Sequence, residues 1–183
     1  GFDDAMKQLG AVTSGTEEEM KALTDQAKFL GRTTSSTASH IAEMQVELGK
    51  AGFARKQILG MTDAVRALGV ATSTEAATGA GILSATIRQF NLHASDAIHV
   101  SGALTKAANG SFNTLTDLGE ALRYAGPVAE DFGVSLEETL GVMMALGNMD
   151  IKGSSAGTSL RNMLLFLSSR EGMLNNLLPG MTA

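Results

Sequence analysis

Phe132-Gly133-Val134-Ser135-Leu136-Glu137-Glu138 decides the fold class. Glycine closes a helix because it takes the left-handed conformation at little cost, and serine opens the next by accepting a hydrogen bond from a free backbone N–H. Glu138, three residues after Ser135, completes a capping box. Thr16-Glu17-Glu18-Glu19 is a second box, with Thr16 as the cap. Leu30-Gly31-Arg32-Thr33 and Leu68-Gly69-Val70-Ala71-Thr72 read in the same way as helix end, glycine and short polar connection. The unit returns about every 20 residues, but no strict sequence period accompanies it, so the pattern does not define a solenoid.

Working outward, caps and apolar spacing predict helices over roughly 3–12, 17–30, 38–50, 54–69, 74–91, 95–108, 115–132, 136–148 and 155–170. Ile58, Met61, Val65 and Leu68 form one apolar stripe, and Leu160, Met163, Leu164 and Leu167 another, each facing a core or a partner helix. Pro127 is expected to kink or restart the seventh helix. Ala77, Gly81 and Ala85 place small residues four apart on one face, which suits either close approach of another backbone or plain helix-tolerant filler. Met143, Met144 and Met149 read as core more than as an adaptable interface.

Composition agrees. Among 183 residues Ala, Leu and Met account for 58, against 14 for Val and Ile, a balance that favours helix over sheet. The expected architecture is all-α: about nine short helices, compact or folded back, with no significant sheet. Residues 1–170 read as one helical module and 171–183 as an exit segment. A start at Gly1 marks the chain as a fragment or a processed product.

The absence of Cys excludes disulfides, thiolate zinc sites and a Cys nucleophile. A net charge of -5 gives no electrostatic case for nucleic-acid binding. No apolar run is long enough to span a membrane, and no signal peptide is visible.

Gly153-Ser154-Ser155-Ala156-Gly157 matches the G-x-S-x-G nucleophile elbow of serine hydrolases. That motif requires a preceding strand and a later histidine. Asn148-Met149-Asp150-Ile151-Lys152 is turn-like, and no His follows Ser155. The better reading is a Gly-Ser loop feeding the last helix, with Ser154 or Ser155 as its cap. Lys152 to Thr158 has the wrong order for a phosphate-binding P-loop. His40, His93 and His99 form no metal-binding pair, and the latter two flank a helix start. The acid pairs Asp3-Asp4, Glu130-Asp131 and Glu137-Glu138 lie near helix termini, where the helix dipole accounts for Glu137-Glu138. No catalytic residue, cofactor or metal site is assigned.

One resemblance runs through nearly the whole chain, about residues 1–170. Ala121-Leu122-Arg123-Tyr124-Ala125-Gly126-Pro127-Val128-Ala129, then Phe132 to Glu138, then Ile151-Lys152-Gly153-Ser154-Ser155-Ala156-Gly157-Thr158-Ser159-Leu160-Arg161 resemble the shared core region of tape measure proteins of long-tailed bacteriophages and prophages. Ala51-Gly52-Phe53, Ala67-Leu68-Gly69-Val70-Ala71-Thr72 and Leu104-Thr105-Lys106-Ala107-Ala108-Asn109 match upstream in the same order. Met149-Asp150 departs from the family, which commonly has Ala-Gly there, so the local loop shape is the point to check.

The resemblance implies a non-enzymatic virion protein, made in the bacterial host cytoplasm and housed in the tail lumen. Such a protein sets tail length during assembly and leaves ahead of the DNA. Its implied partners are other copies of itself, the tail tube protein, tail assembly chaperones and tail tip or baseplate proteins. A ruler needs extended helix at about 1.5 Å per residue. Stops at Gly31, Gly69, Gly110 and Gly133 imply instead that this segment is a folded-back module and that the rod lies elsewhere. Stripes such as Leu160/Met163/Leu164/Leu167 are candidates for packing between copies. The alternatives are a generic helical adaptor that binds a partner helix and, on Gly153–Gly157, a serine hydrolase.

Overall fold

The computed structural model describes residues 1–177. They form nine α-helices: α1 (Phe2–Val12), α2 (Glu17–Thr33), α3 (Ala38–Lys50), α4 (Arg55–Thr72), α5 (Ala76–Gln89), α6 (Ala97–Asn109), α7 (Leu115–Asp131), α8 (Leu136–Asn148) and α9 (Gly153–Leu177), with a single 3₁₀ turn at Ala94–Asp96 before α6. No strand occurs among the described residues.

The helix starts are fixed by side-chain caps. Thr16, Thr37, Thr114 and Ser135 each accept a hydrogen bond from the backbone N–H three residues on. In the two predicted boxes Glu19 and Glu138 reach back to the amides of Thr16 and Ser135, at 3.0 and 2.8 Å. Five ends share one closing pattern, with a left-handed residue at Gly52, Ser73, Asn91, Gly133 or Asp150. The amide of the next residue reaches back five positions, as in Leu92 N–H to Ile87 O at 2.8 Å and Val134 N–H to Ala129 O at 2.8 Å. Phe53, Leu92, Val134 and Ile151 follow the turn as apolar plugs that pack on the core.

Short links force neighbouring helices to fold back on one another, and the hairpins stack in two rows. α1, α3, α5, α7 and α9 pack in that order along one row, and α2, α4, α6 and α8 along the other. Helices in a row run in the same direction. Ser101 Oγ donates to Ala64 O at 2.9 Å and Asn109 Nδ2 to Ala71 O at 3.0 Å, so α6 runs beside α4 at a near-constant offset. Gly119 lies against Ile82, and Gly126 against Gln89 and Phe90, so α7 runs beside α5 in the same sense. Helices of the first row start at residues 2, 38, 76, 115 and 153, steps of 36, 38, 39 and 38. This is solenoid-like stacking that the sequence did not reveal, because the repeat is one of helix length and link length, not of residue identity.

A continuous core binds the rows together. Leu9, Leu23, Ile41, Met44, Leu83 and Leu104 are fully buried within it, as is the whole Ile58/Met61/Val65/Leu68 stripe. Met143 is buried, Met144 half-buried and Met149 exposed, so the methionine reading holds for the first and fails for the last.

Several expectations are corrected. Gly31 and Gly69 do not end helices; they lie inside α2 and α4 and serve close packing. A Cβ on Gly31 would come 2.7 Å from Ala38 Cα, and one on Gly69 would come 3.0 Å from Thr74 O. Pro127 does not restart α7, which runs through to Asp131; its missing N–H costs one bond near the helix end. Gly81 and Ala85 are exposed and a Cβ on Gly81 would meet nothing within 4 Å, so that row of small residues is filler. Helix α9 starts at Gly153 and continues to Leu177, well past the predicted end at 170. The remainder of the predicted exit segment, 178–183, lies outside the described residues.

Candidate functional site

Gly153 to Gly157 forms the opening of α9, with no strand before it to aim Ser155. Ser154 and Ser155 are exposed within the first turn and do not precede the helix as caps. The two glycines and Ala156 instead form the contact with α7. A Cβ on Gly157 would overlap the Ala121 backbone, and one on Gly153 would come 2.9 Å from Glu120 Oε2. Ala156 is buried between them. The motif therefore serves backbone-to-backbone helix packing, and the strand-to-helix elbow required for acyl transfer is not formed.

The titratable groups are spent on capping and surface pairing. Glu75 accepts from the Ala77 and Thr78 amides at 2.9 Å each and opens α5. The Ala77 amide is the main cause that holds this carboxyl below its ordinary value; partial burial opposes it, and the Thr78 amide and hydroxyl assist. Glu138 is likewise held low by the Ser135 amide and hydroxyl. The exposed His99 ring pairs with Glu137 across α6 and α8. His40 and His93 are exposed. Among the described residues no group of three or more His, Asp or Glu is placed to hold a metal. A cleft of about 270 Å³ between α3, α4 and α5 is lined by Ser36, His40, Met44, Arg66, Thr74 and Glu75. Its carboxylate is the α5 cap, and Arg66 Nε, buried without a hydrogen-bond partner, lies 3.7 Å from Asp63 Oδ1.

Two polar features escape the sequence reading. Arg55, only 6% exposed, reaches into the α1–α2 link. Its Nε donates to Thr13 Oγ1 at 3.1 Å, Nη1 to Thr16 O at 2.9 Å and Gly15 O at 3.3 Å, and Nη2 to Gly10 O at 3.4 Å. The buried Gln45 Nε2 donates to Leu23 O and Gln26 Oε1, while Gln26 Nε2 donates to Leu59 O, tying α2, α3 and α4 together. In sequence, Arg55 beside Lys56 looks like a solvated basic pair, and no local signal marks the guanidinium as buried.

The two ends of the stack differ. The outer face of α1 carries exposed Asp3, Asp4, Lys7 and Gln8. Helix α9 exposes several apolar side chains beyond Leu160, with Met163 48%, Phe166 57% and Leu167 56% exposed. Of the Leu160/Met163/Leu164/Leu167 stripe, Leu160 is buried, Leu164 half-buried and the other two lie in solvent.

Comparison with known proteins gives this architecture a family. The model of the phage-related minor tail proteins matches residues 24–177. A tape measure protein of Pneumococcus phage Dp-1 is 32% identical over 163 residues, 89% of this chain and 14% of that protein. A probable tape measure protein of Escherichia phage P2 is 32% identical over 176 residues, 94% of this chain and 22% of that protein. The chain thus spans less than a quarter of either relative. No solved structure matches. Asp150 resolves the one departure noted in the sequence: at φ 63 it takes the left-handed conformation that a glycine supplies at that turn. With the pattern matched from the second helix to the ninth, the chain belongs to the phage-related minor tail protein family, in a region that tape measure proteins share.

Proposed function

We propose that this chain is a structural module of a phage tail tape measure protein, and that the parent protein sets tail length inside the tube and leaves ahead of the DNA. The observation that carries the reading is the match to two tape measure proteins over about nine-tenths of the chain. Its setting is the tail lumen of the virion, after synthesis in the host cytoplasm. Its partners are the tail tube protein, assembly chaperones, tail tip or baseplate proteins and further copies of the chain. The module's work is mechanical and not catalytic, with residues 1–170 as the folded body.

The architecture bears on how such a protein measures. A straight helix advances about 1.5 Å per residue. Row helices packed about 8–10 Å apart advance the stack by one such step for each 36–39 residues, roughly 0.25 Å per residue. The module is thus several-fold too short for its chain length to act as the ruler, which supports a rod in another part of the parent.

The test is genetic. A stop codon early in the parent reading frame should abolish tails of normal length, and mass spectrometry of purified virions should find peptides of this chain. Normal-length tails from the interrupted frame would refute the reading. Small-angle scattering of the chain should give a radius of gyration near the roughly 16 Å of a compact chain of this size; a value far above it would refute the folded-back module.

A further inference from the structure

We propose that the groove where the α3–α4 link meets the α5–α6 link binds a peptide segment that carries a carboxylate beside an aliphatic side chain. The groove lies in the middle of the chain, away from both ends, and the proposal does not rest on the tail reading.

Two clefts meet there. One, of about 380 Å³, is lined by Gly52, Phe53, Gln57, Arg88, Asn91 and His93. The other, of about 280 Å³, is lined by Lys56, Gln57, Gly60, Ala94, Ala97 and Ile98. Gln57 and Ala94 line both, so the two form one groove across the start of α4.

The first half is built around a cation. The Arg88 guanidinium lies 5.3 Å from the Phe53 ring centroid, and the ring holds it in place. A Cβ on Gly52 would come 2.8 Å from Arg88 Nη2, and φ 88 at Gly52 favours glycine in its own right. The link is thus shaped to receive the guanidinium. The nearby helix ends do not account for it, because backbone amides already close them: Phe53 N–H to Leu48 O at 3.2 Å on α3, and Leu92 N–H to Ile87 O at 2.8 Å on α5. Among the described residues neither Arg88 nor Lys56 pairs with a carboxylate. Asp96, the acid nearest Arg88 along the chain, accepts from the His93 amide at 2.8 Å. Gln57 spends Oε1 on the Ala54 amide at 2.9 Å, which leaves its amide nitrogen to donate. No acid lines this half, and its donors suit an anion.

The second half is apolar and open. Ile98 is 73% exposed, and a Cβ on Gly60 would meet nothing within 4 Å. The two halves together select the ligand. A guanidinium held in place pairs with a planar carboxylate through two parallel hydrogen bonds. A free phosphate would leave the apolar half bare, and the net charge of -5 opposes a nucleic acid. A peptide segment with an acidic residue next to a leucine-like one fills both.

The probe is a short acetylated peptide of alternating Glu and Leu, titrated into the isotope-labelled chain and followed by amide NMR shifts. Saturable shifts should centre on Gly52, Gly60, Asn91 and Ile98. Arg88→Gln should weaken binding at least about tenfold, the loss expected of one charge-assisted pair. Ile98→Ser should weaken it by about fivefold or more, since it removes an aliphatic contact. Arg32→Gln, at an exposed position on α2, should leave it unchanged. Ile98 lies in solvent, so its variant tests the groove even where loss of Arg88 loosens the link. The absence of saturable shifts up to about 5 mM peptide overturns the proposal, as does binding that both variants leave intact. An equal response to inorganic phosphate or to an alternating Glu and Ser peptide overturns it too, because the apolar half would then take no part. Tight binding of a Lys and Leu peptide would contradict the anionic half.

Discussion

Gly157→Ala and Gly141→Ala are the same chemical change on two helices, and the structure gives them opposite signs. At Gly157 the new methyl would lie 2.9 Å from both the C and the Cα of Ala121 and still nearer its carbonyl oxygen. The obstacle is backbone, so no rotamer change relieves it, and α9 must move away from α7. Overpacking costs about 1–3 kcal/mol, and a backbone obstacle places this case near the top of that range. The gain in helix propensity returns about 1 kcal/mol, leaving a net loss of about 2 kcal/mol. At Gly141 the methyl meets nothing within 4 Å, so only the propensity gain of about 1 kcal/mol acts. For a chain of this size, 1 kcal/mol moves the melting temperature by about 2–4 °C. Thermal unfolding followed by far-UV circular dichroism should therefore show Gly157→Ala lowered by about 4–8 °C and Gly141→Ala raised by about 2–4 °C. Amide exchange should quicken across the start of α9 in the first variant alone. A Gly157→Ala protein as stable as Gly141→Ala would refute the close α7–α9 contact, and with it the packing role assigned to the Gly-Ser motif.

Arg55→Ala strips four acceptors around the α1–α2 link of their donor and should cost about 2–4 kcal/mol in urea unfolding. Arg55→Lys should not rescue it, because one ammonium cannot reproduce the forked geometry. Asp150→Gly should stabilise by about 1 kcal/mol, since Asp150 holds φ 63 against its own Cβ, and Asp150→Val should destabilise by a similar amount. Glu75 and Glu138 have folded pKa values below the unfolded value near 4.5. Their contribution is complete above that value and lost as pH falls through it and then through the lower folded values. Acid titration of stability should therefore flatten in the Glu75→Gln/Glu138→Gln double variant; an unchanged acid limb would remove the caps as its source.

Much of the fold was legible because helix starts are local chemistry. Thr16 with Glu19 and Ser135 with Glu138 specify their caps within four residues, and the structure forms both. Glycine is ambiguous in the same window. Gly133 takes φ 71 and ends α7, while Gly31 and Gly69 sit inside helices and make room for Ala38 and Thr74. Nothing within a turn of Gly31 distinguishes the two uses, because the deciding neighbour, Ala38, lies across the link at the start of α3. The stacking period was hidden for a related reason. Equivalent contacts are made by unlike pairs: Ala64 with Ser101, Ile82 with Gly119, Ala121 with Gly157. Each junction needs only one side to be small or to donate, so which side is small drifts from unit to unit while the offset persists.

The same reasoning separates the two apolar stripes, each of which has helical spacing in the sequence. Ile58, Met61, Val65 and Leu68 are each 0% exposed because α4 has row neighbours on both sides, α2 and α6. Met163 and Leu167 are half exposed because α9 is the last helix of its row among the described residues. Periodicity establishes that a face exists; the topology decides whether anything covers it. An inner stripe that lost its neighbour would be a folding defect, since the core depends on it. The exposed part of α9 carries no such load, because Leu160 and Ala156 already anchor α9 to α7 before it begins. Substitutions at Met163 or Leu167 should therefore leave the melting temperature within a few degrees of the parent, whereas Val65→Ala should cost a few kcal/mol in stability. Equal loss of stability from both stripes would mean that the exposed side chains of α9 bear on its folding, and the distinction between the buried and the exposed stripe would fail.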